Sequence, residues 1–200
     1  MNEDIFFKGL EPEDVLVRAV TTPNPMAIKF VTNYPFKVEG KATFKNRDEA
    51  EGLTLVESIF DVLGVKQVHL FQNAMTITRT DELGEEMFVA SIESIIRTRL
   101  PIHNPHFDFS DQPDKKVEQD KSHFTEKMKE IDEILDRTIR PGLQADGGDL
   151  DLISLEENEL KILYQGACGG CPSAMMGTLD AIQSILQNEL DNPDLKVRPI

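Results

Sequence analysis

The apolar periodicity of this 200-residue chain stops between Pro101 and Lys121, and that gap limits what the chain can fold into. Pro101, Pro105 and Pro113 punctuate a stretch rich in Asp, Lys and Gln, a composition with too little apolar surface to order itself. Residues 101–121 therefore read as a flexible linker. Two small units remain, 1–100 and 122–200, each of a size that can fold alone around a modest core.

In the first unit, Val15 to Val20 and Met26 to Thr32 are β-rich runs separated by Thr22-Pro23-Asn24-Pro25, whose prolines cannot lie within a central strand. They predict an antiparallel hairpin. Phe36 to Phe44 adds a third strand. Leu53, Val56, Phe60 and Leu63 recur at helical spacing, with Gly64 at the stop position. Two more strands, Val65 to Phe71 and Met75 to Arg79, flank a turn at Gln72-Asn73-Ala74. A helix carrying Phe88, Ile92, Ile95 and Arg99 ends before Pro101. His69, in an alternating strand, needs no function.

The second unit is expected to begin at Ser122 as a helix N-cap, with Phe124, Met128, Ile131 and Leu135 forming an apolar stripe that ends at Arg140-Pro141-Gly142. Asp146-Gly147-Gly148-Asp149 reads as a turn. Strands follow at Leu150 to Leu155 and Glu159 to Tyr164. Met175, Leu179, Ile182, Leu186 and Leu190 then share one face of a helix, and Leu195 to Arg198 is a last strand. The expected fold class is α+β in two layers, each unit a short sheet packed against two helices.

A formal charge of −15, from 36 acidic and 21 basic residues, opposes binding to nucleic acid or anionic lipid. Solubility and protein partners are the better uses of it. No apolar run approaches the roughly 20 residues that cross a bilayer. The acidic start, Met1-Asn2-Glu3-Asp4, lacks the basic character of a targeting peptide, so a cytoplasmic location is expected.

Cys168 and Cys171 are the only cysteines, and they sit in Gly166-Ala167-Cys168-Gly169-Gly170-Cys171-Pro172-Ser173 between a strand and a helix. Two intervening glycines give the backbone access to positive φ, and Pro172 suits a first helical turn. At such a helix N-terminus the dipole favours thiolate over thiol, so reactive sulfur is expected. Four uses compete. A structural disulfide would close too short a loop to restrain the unfolded chain much. A thioredoxin-like thiol-disulfide exchange is compatible with strand, CxxC and helix, yet too few residues follow Cys171 to supply the rest of that fold. Zinc needs two more ligands, for which His103 and His106 are candidates, although both read as surface residues of the linker. An iron–sulfur cluster asks for four thiolates, and two protomers could supply them across a two-fold axis.

The ordered set Ile139-Arg140-Pro141, Asp146-Gly147-Gly148-Asp149, Gly166-Ala167-Cys168-Gly169-Gly170-Cys171-Pro172 and Thr178-Leu179 resembles the Nfu family, proteins similar to the C-terminal part of NifU. Thr22-Pro23-Asn24-Pro25 with Lys29-Phe30, and Leu55 to Val65, are similar to that family's accessory N-terminal domain. The resemblance implies a non-catalytic carrier or scaffold for a 4Fe-4S cluster, with a 2Fe-2S form as the alternative. Cys168 and Cys171 of each protomer of a homodimer would be the metal ligands. It further implies upstream assembly proteins as donors and apo iron-sulfur proteins as clients. Asp146 and Asp149 match the family's acidic turn without a ligand role, and Met175 and Met176 read as core residues rather than soft ligands.

Overall fold

The computed structural model describes residues 9–108, 121, 124–170 and 172–200, the side chains of 169–176 excepted. The chain divides into two compact units, Met1–Phe109 and Ser110–Ile200. Each is an antiparallel or mixed sheet with helices, the α+β architecture expected.

In the first unit, β1 (Val17–Thr21), β2 (Ala27–Thr32), β3 (Lys37–Phe44), β4 (Val65–Gln72) and β5 (Ala74–Arg79) form one antiparallel sheet in the order β1-β2-β5-β4-β3. The β1–β2 connection is fixed by side chains, because its prolines have no N–H to give. Asn24 accepts from the Met26 amide at 2.9 Å and Thr22 donates to the Ala27 carbonyl at 3.0 Å. His69 lies buried in β4 with Nδ1 2.8 Å from the Thr43 hydroxyl, a structural contact.

Helix α1 (Thr54–Phe60) buries Leu55, Val56 and Ile59, and it ends earlier than its apolar spacing suggests. Leu63 is 59% exposed. Gly64 instead turns the chain into β4, its carbonyl accepting from the Thr80 amide at 2.8 Å. Helix α2 (Glu85–Arg99) buries Phe88, Ile92 and Ile96, so the stripe advances by fours and Ile95 sits at its margin. These side chains join Phe30, Phe36, Phe44, Leu70, Met75 and Ile77 in one core. Each such aliphatic or aromatic side chain contributes about 1.5–3 kcal/mol when fully buried.

The stretch expected to be linker from Pro101 begins as part of this unit. His103, 7% exposed, places Nε2 2.7 Å from the Phe36 carbonyl, and the Lys37 ammonium donates to the Phe107 carbonyl at 2.8 Å beneath the Phe107 ring. His103 is therefore a core residue and not a surface histidine. Its apolar neighbours Leu100 and Phe107 carry too little periodicity to announce a packed segment.

In the second unit, α3 (Glu126–Thr138) is capped by Thr125, whose hydroxyl accepts from the Met128 amide at 3.2 Å. Ser122, the expected cap, lies outside the described residues. Helix α3 ends just before Arg140-Pro141-Gly142, as expected, and after a break at Ile139 those residues open a further short helix, α4 (Arg140–Ala145), since proline is tolerated in a first turn. Then come β6 (Gly148–Glu156), β7 (Glu159–Gly166), a single 3-10 turn (Ala167–Gly170), α5 (Pro172–Glu189) and β8 (Lys196–Pro199). The sheet order is β6-β7-β8, with β6–β7 antiparallel and β7–β8 parallel across α5. Ile131, Leu135, Leu150, Leu160, Ile162, Ile182 and Leu186 form its core. Among the described residues no helix is long and apolar enough to cross a membrane.

Candidate metal centre

The hairpin β6–β7 brings two glycine-bearing ends together, with Gly148 paired to Gly166. Gly147 and Gly166 take φ of +81° and +62°, conformations that a side chain would strain, and they turn the chain into β6 and out of β7. The amide of Ala167 donates to the Gly147 carbonyl at 3.0 Å. Cys168 is thereby laid over Gly148. A Cβ at Gly148 would stand 2.3 Å from Cys168 Sγ and 3.1 Å from its Cβ and backbone N, so this glycine is required for space. The sequence reads Gly148 as a turn residue; its real neighbour lies twenty residues away, a distance no local signal spans.

Cys168 is a free, half-buried thiol packed against the second core. Cys171 lies outside the described residues, as do the side chains of Met175 and Met176. The thiol-bearing segment is a 3-10 turn running into α5, which begins at Pro172 as expected. The expectation of an activated thiolate does not hold for Cys168. Burial, followed by the carboxylates of Asp146 and Asp149, pushes its thiol up to about 11 from an ordinary 9.0. Loss of hydration and two nearby negative charges outweigh the helix terminus here.

That shift has a direct readout. In Cys171→Ser protein, where Cys168 is the single thiol, alkylation by iodoacetamide should be about a hundredfold slower at neutral pH than for an ordinary thiol and still rising at about pH 10. Asp146→Asn should move the profile to lower pH. A rate plateau near pH 8 would contradict the assignment.

The acidic turn is split by the fold. Asp149 belongs to β6, is 2% exposed, accepts from Gln144 Nε2 at 3.3 Å and stands 3.8 Å from Arg140 Nε. It is a buried structural carboxylate. Arg140 is the residue whose role sequence reasoning missed. It donates to Asp132 Oδ1 at 2.7 Å, to Asp136 Oδ1 at 2.6 Å and to the Leu150 carbonyl at 3.3 Å, tying α3 and α4 to β6. No periodicity signals such a role, because the partners lie on two other elements, α3 and β6.

A zinc site mixing the thiols with His103 and His106 finds no support. His103 Nε2 is engaged by Phe36 in the first core. Among the described residues no group of three or more His, Cys, Asp or Glu could hold a metal ion.

Comparison with known proteins covers both units in order. Residues 17–101 match the family model for the scaffold protein Nfu/NifU N terminal, and residues 131–197 match that for the NifU-like domain. The chain belongs to the Nfu family. This Nfu chain is 28% identical to NifU-like protein 4, mitochondrial, of Arabidopsis thaliana, over 91% of its own length and 65% of the relative's. It is 30% identical to the NFU1 iron-sulfur cluster scaffold homolog, mitochondrial, of Drosophila sechellia, over 86% and 61%. The Drosophila grimshawi homolog of that name is 31% identical, over 86% and 57%. The Nfu chain thus spans less than two thirds of the length of these relatives. Their names place them in mitochondria, which overturns the cytoplasmic location expected from the composition of the first residues. The charge of a few terminal residues is a weaker indicator of location than likeness over most of a chain.

Proposed function

We propose that this protein carries an iron–sulfur cluster as cargo, held by Cys168 and Cys171 and passed to apo-proteins without catalysing a reaction. The observation that carries the reading is the seating of Cys168 Sγ over Gly148, a position kept free by the missing Cβ and fixed by the Ala167–Gly147 hydrogen bond. Soft sulfur on a glycine-lined turn suits iron, and the names of the relatives, iron-sulfur cluster scaffold homologs, support the same cargo. Four thiolates are the usual requirement, and one chain has two cysteines, so two protomers share the cluster. The 4Fe-4S form fits four sulfurs, and the 2Fe-2S form would take the same set.

The raised Cys168 thiol favours a carrier over a thiol-disulfide oxidoreductase. Exchange chemistry needs a resident thiolate, whereas a metal displaces the thiol proton on binding and couples loading to pH. The acidic surface suits basic patches on client proteins and on the upstream assembly proteins that supply the cluster.

Anaerobic reconstitution with iron and sulfide tests this. The wild type should gain visible absorbance, about two iron and two sulfide per chain, and a dimeric mass in sedimentation. Cys168→Ser and Cys171→Ser should each lose the absorbance. Four irons on a monomer would overturn the shared site. Turnover of metal-free protein in a disulfide reduction assay would favour the oxidoreductase instead.

A further inference from the structure

Tyr164 packs on the same cluster as Cys168 and is not one of the residues that hold the cargo. Register sets its position. Gly148 pairs with Gly166 and Leu150 with Tyr164, so Gly148, Leu150 and Tyr164 face the same side of the sheet. Cys168 Sγ lies on that side too, because it occupies the direction a Gly148 Cβ would take. Tyr164 is the diagonal neighbour of that position, within the reach of an aromatic side chain across an antiparallel pair. Both residues pack on the same hydrophobic cluster.

The tyrosine is 6% exposed, and its hydroxyl has no hydrogen-bond partner among the described residues. A buried hydroxyl left in this way is costly, and phenylalanine would fill the same volume without the cost. A tyrosine phenol is protonated at neutral pH, so the hydroxyl is an available donor. The neighbouring group that gains acceptor strength when cargo arrives is sulfur: Cys168 becomes a thiolate, and a cluster adds sulfide.

We propose that the Tyr164 hydroxyl is a hydrogen-bond donor to the sulfur of the loaded site, unsatisfied in the metal-free protein and engaged when Cys168 carries a cluster. The proposal rests on the cluster-carrier reading. A hydrogen bond to a ligating sulfur withdraws charge from the metal, which steadies the cluster and alters its potential. Tyr164 would thus help set how long the cargo is held before it is handed on.

The test compares full-length wild type with Tyr164→Phe, metal-free and after anaerobic reconstitution. Metal-free Tyr164→Phe should melt at the same temperature or higher. Loaded wild type should show iron–sulfur vibrational bands in resonance Raman that shift in heavy water. The variant should lose most of that shift and release its cluster to a chelator about tenfold faster. Equal bands, equal heavy-water shifts and equal release rates would overturn the Tyr164 role while leaving the carrier reading intact. A lower melting temperature of the metal-free variant would also overturn it, by showing that the hydroxyl already has a partner. If wild type assembles no cysteine-dependent cluster, the carrier reading fails and takes this proposal with it.

Discussion

Gly148→Ala should abolish stable cluster retention while leaving both cysteines in the chain. The added methyl would stand 2.3 Å from Cys168 Sγ, and rotating the thiol does not relieve the clash, because Cys168 Cβ and N are each 3.1 Å away. The 3-10 turn must lift away from β6, straining the Ala167–Gly147 hydrogen bond. Overpacking of this kind costs about 1–3 kcal/mol, and a metal ligand displaced by even an ångström no longer meets its site. Iron and sulfide content after desalting should fall to the level of Cys168→Ser, with secondary structure retained by circular dichroism. Wild-type loading in Gly148→Ala would show that the close seating of the sulfur has no part in binding.

Arg140→Ala should be the most destabilising single change in the second unit. Its guanidinium is held by Asp132, Asp136 and the Leu150 carbonyl, and removing it breaks the buried Asp132 pair and takes away a cation 3.8 Å from the buried Asp149. Breaking a buried pair from one side costs about 3–5 kcal/mol, a large part of the margin of a domain with so small a core. Urea unfolding followed at the amides of α3 and β6 should show the midpoint collapse. Arg140→Lys should recover only part of it, because an ammonium cannot reproduce the fork. A loss below about 1 kcal/mol would refute the network's role. The same network shapes the acid limb. Burial alone would raise the Asp132 carboxyl, but hydrogen bonds from Lys121 and Arg140 overcome it and hold the group below its ordinary 3.8. Its stabilisation is therefore complete above about pH 3.8 and is lost as pH falls through the lower folded value, a dependence that Arg140→Ala should weaken.

Elements with a strong period were legible in the sequence, and so was the position of Cys168 between a strand and a helix. The five strands of the first sheet, the α2 stripe and the strand leading to the CxxC all follow from apolar spacing and turn chemistry. Strand order did not follow: β3 pairs with β4 at the sheet edge, a partnership between strands that α1 separates in sequence. Arg140-Pro141-Gly142 marks the end of the α3 stripe as expected, but α4 did not follow, because proline and glycine mark a stop and also permit a first turn. The site was harder still. Composition located Cys168, but its raised thiol depends on burial and on two carboxylates placed by the hairpin. Gly148, Arg140 and Tyr164 act through partners on other elements, and a one-dimensional pattern contains no such adjacency.

The hairpin that ends at the glycine pair begins at Glu157-Asn158, with Glu157 held at φ +53°. Between those points the ladder steps two by two except for one extra residue, Ile153, between Leu152 and Ser154, and any other slip of one would exchange the two faces of β7. The sulfur's seat is thus calibrated from the far end of the ladder, and a tight reversal with no chemistry of its own works as the zero mark of the instrument.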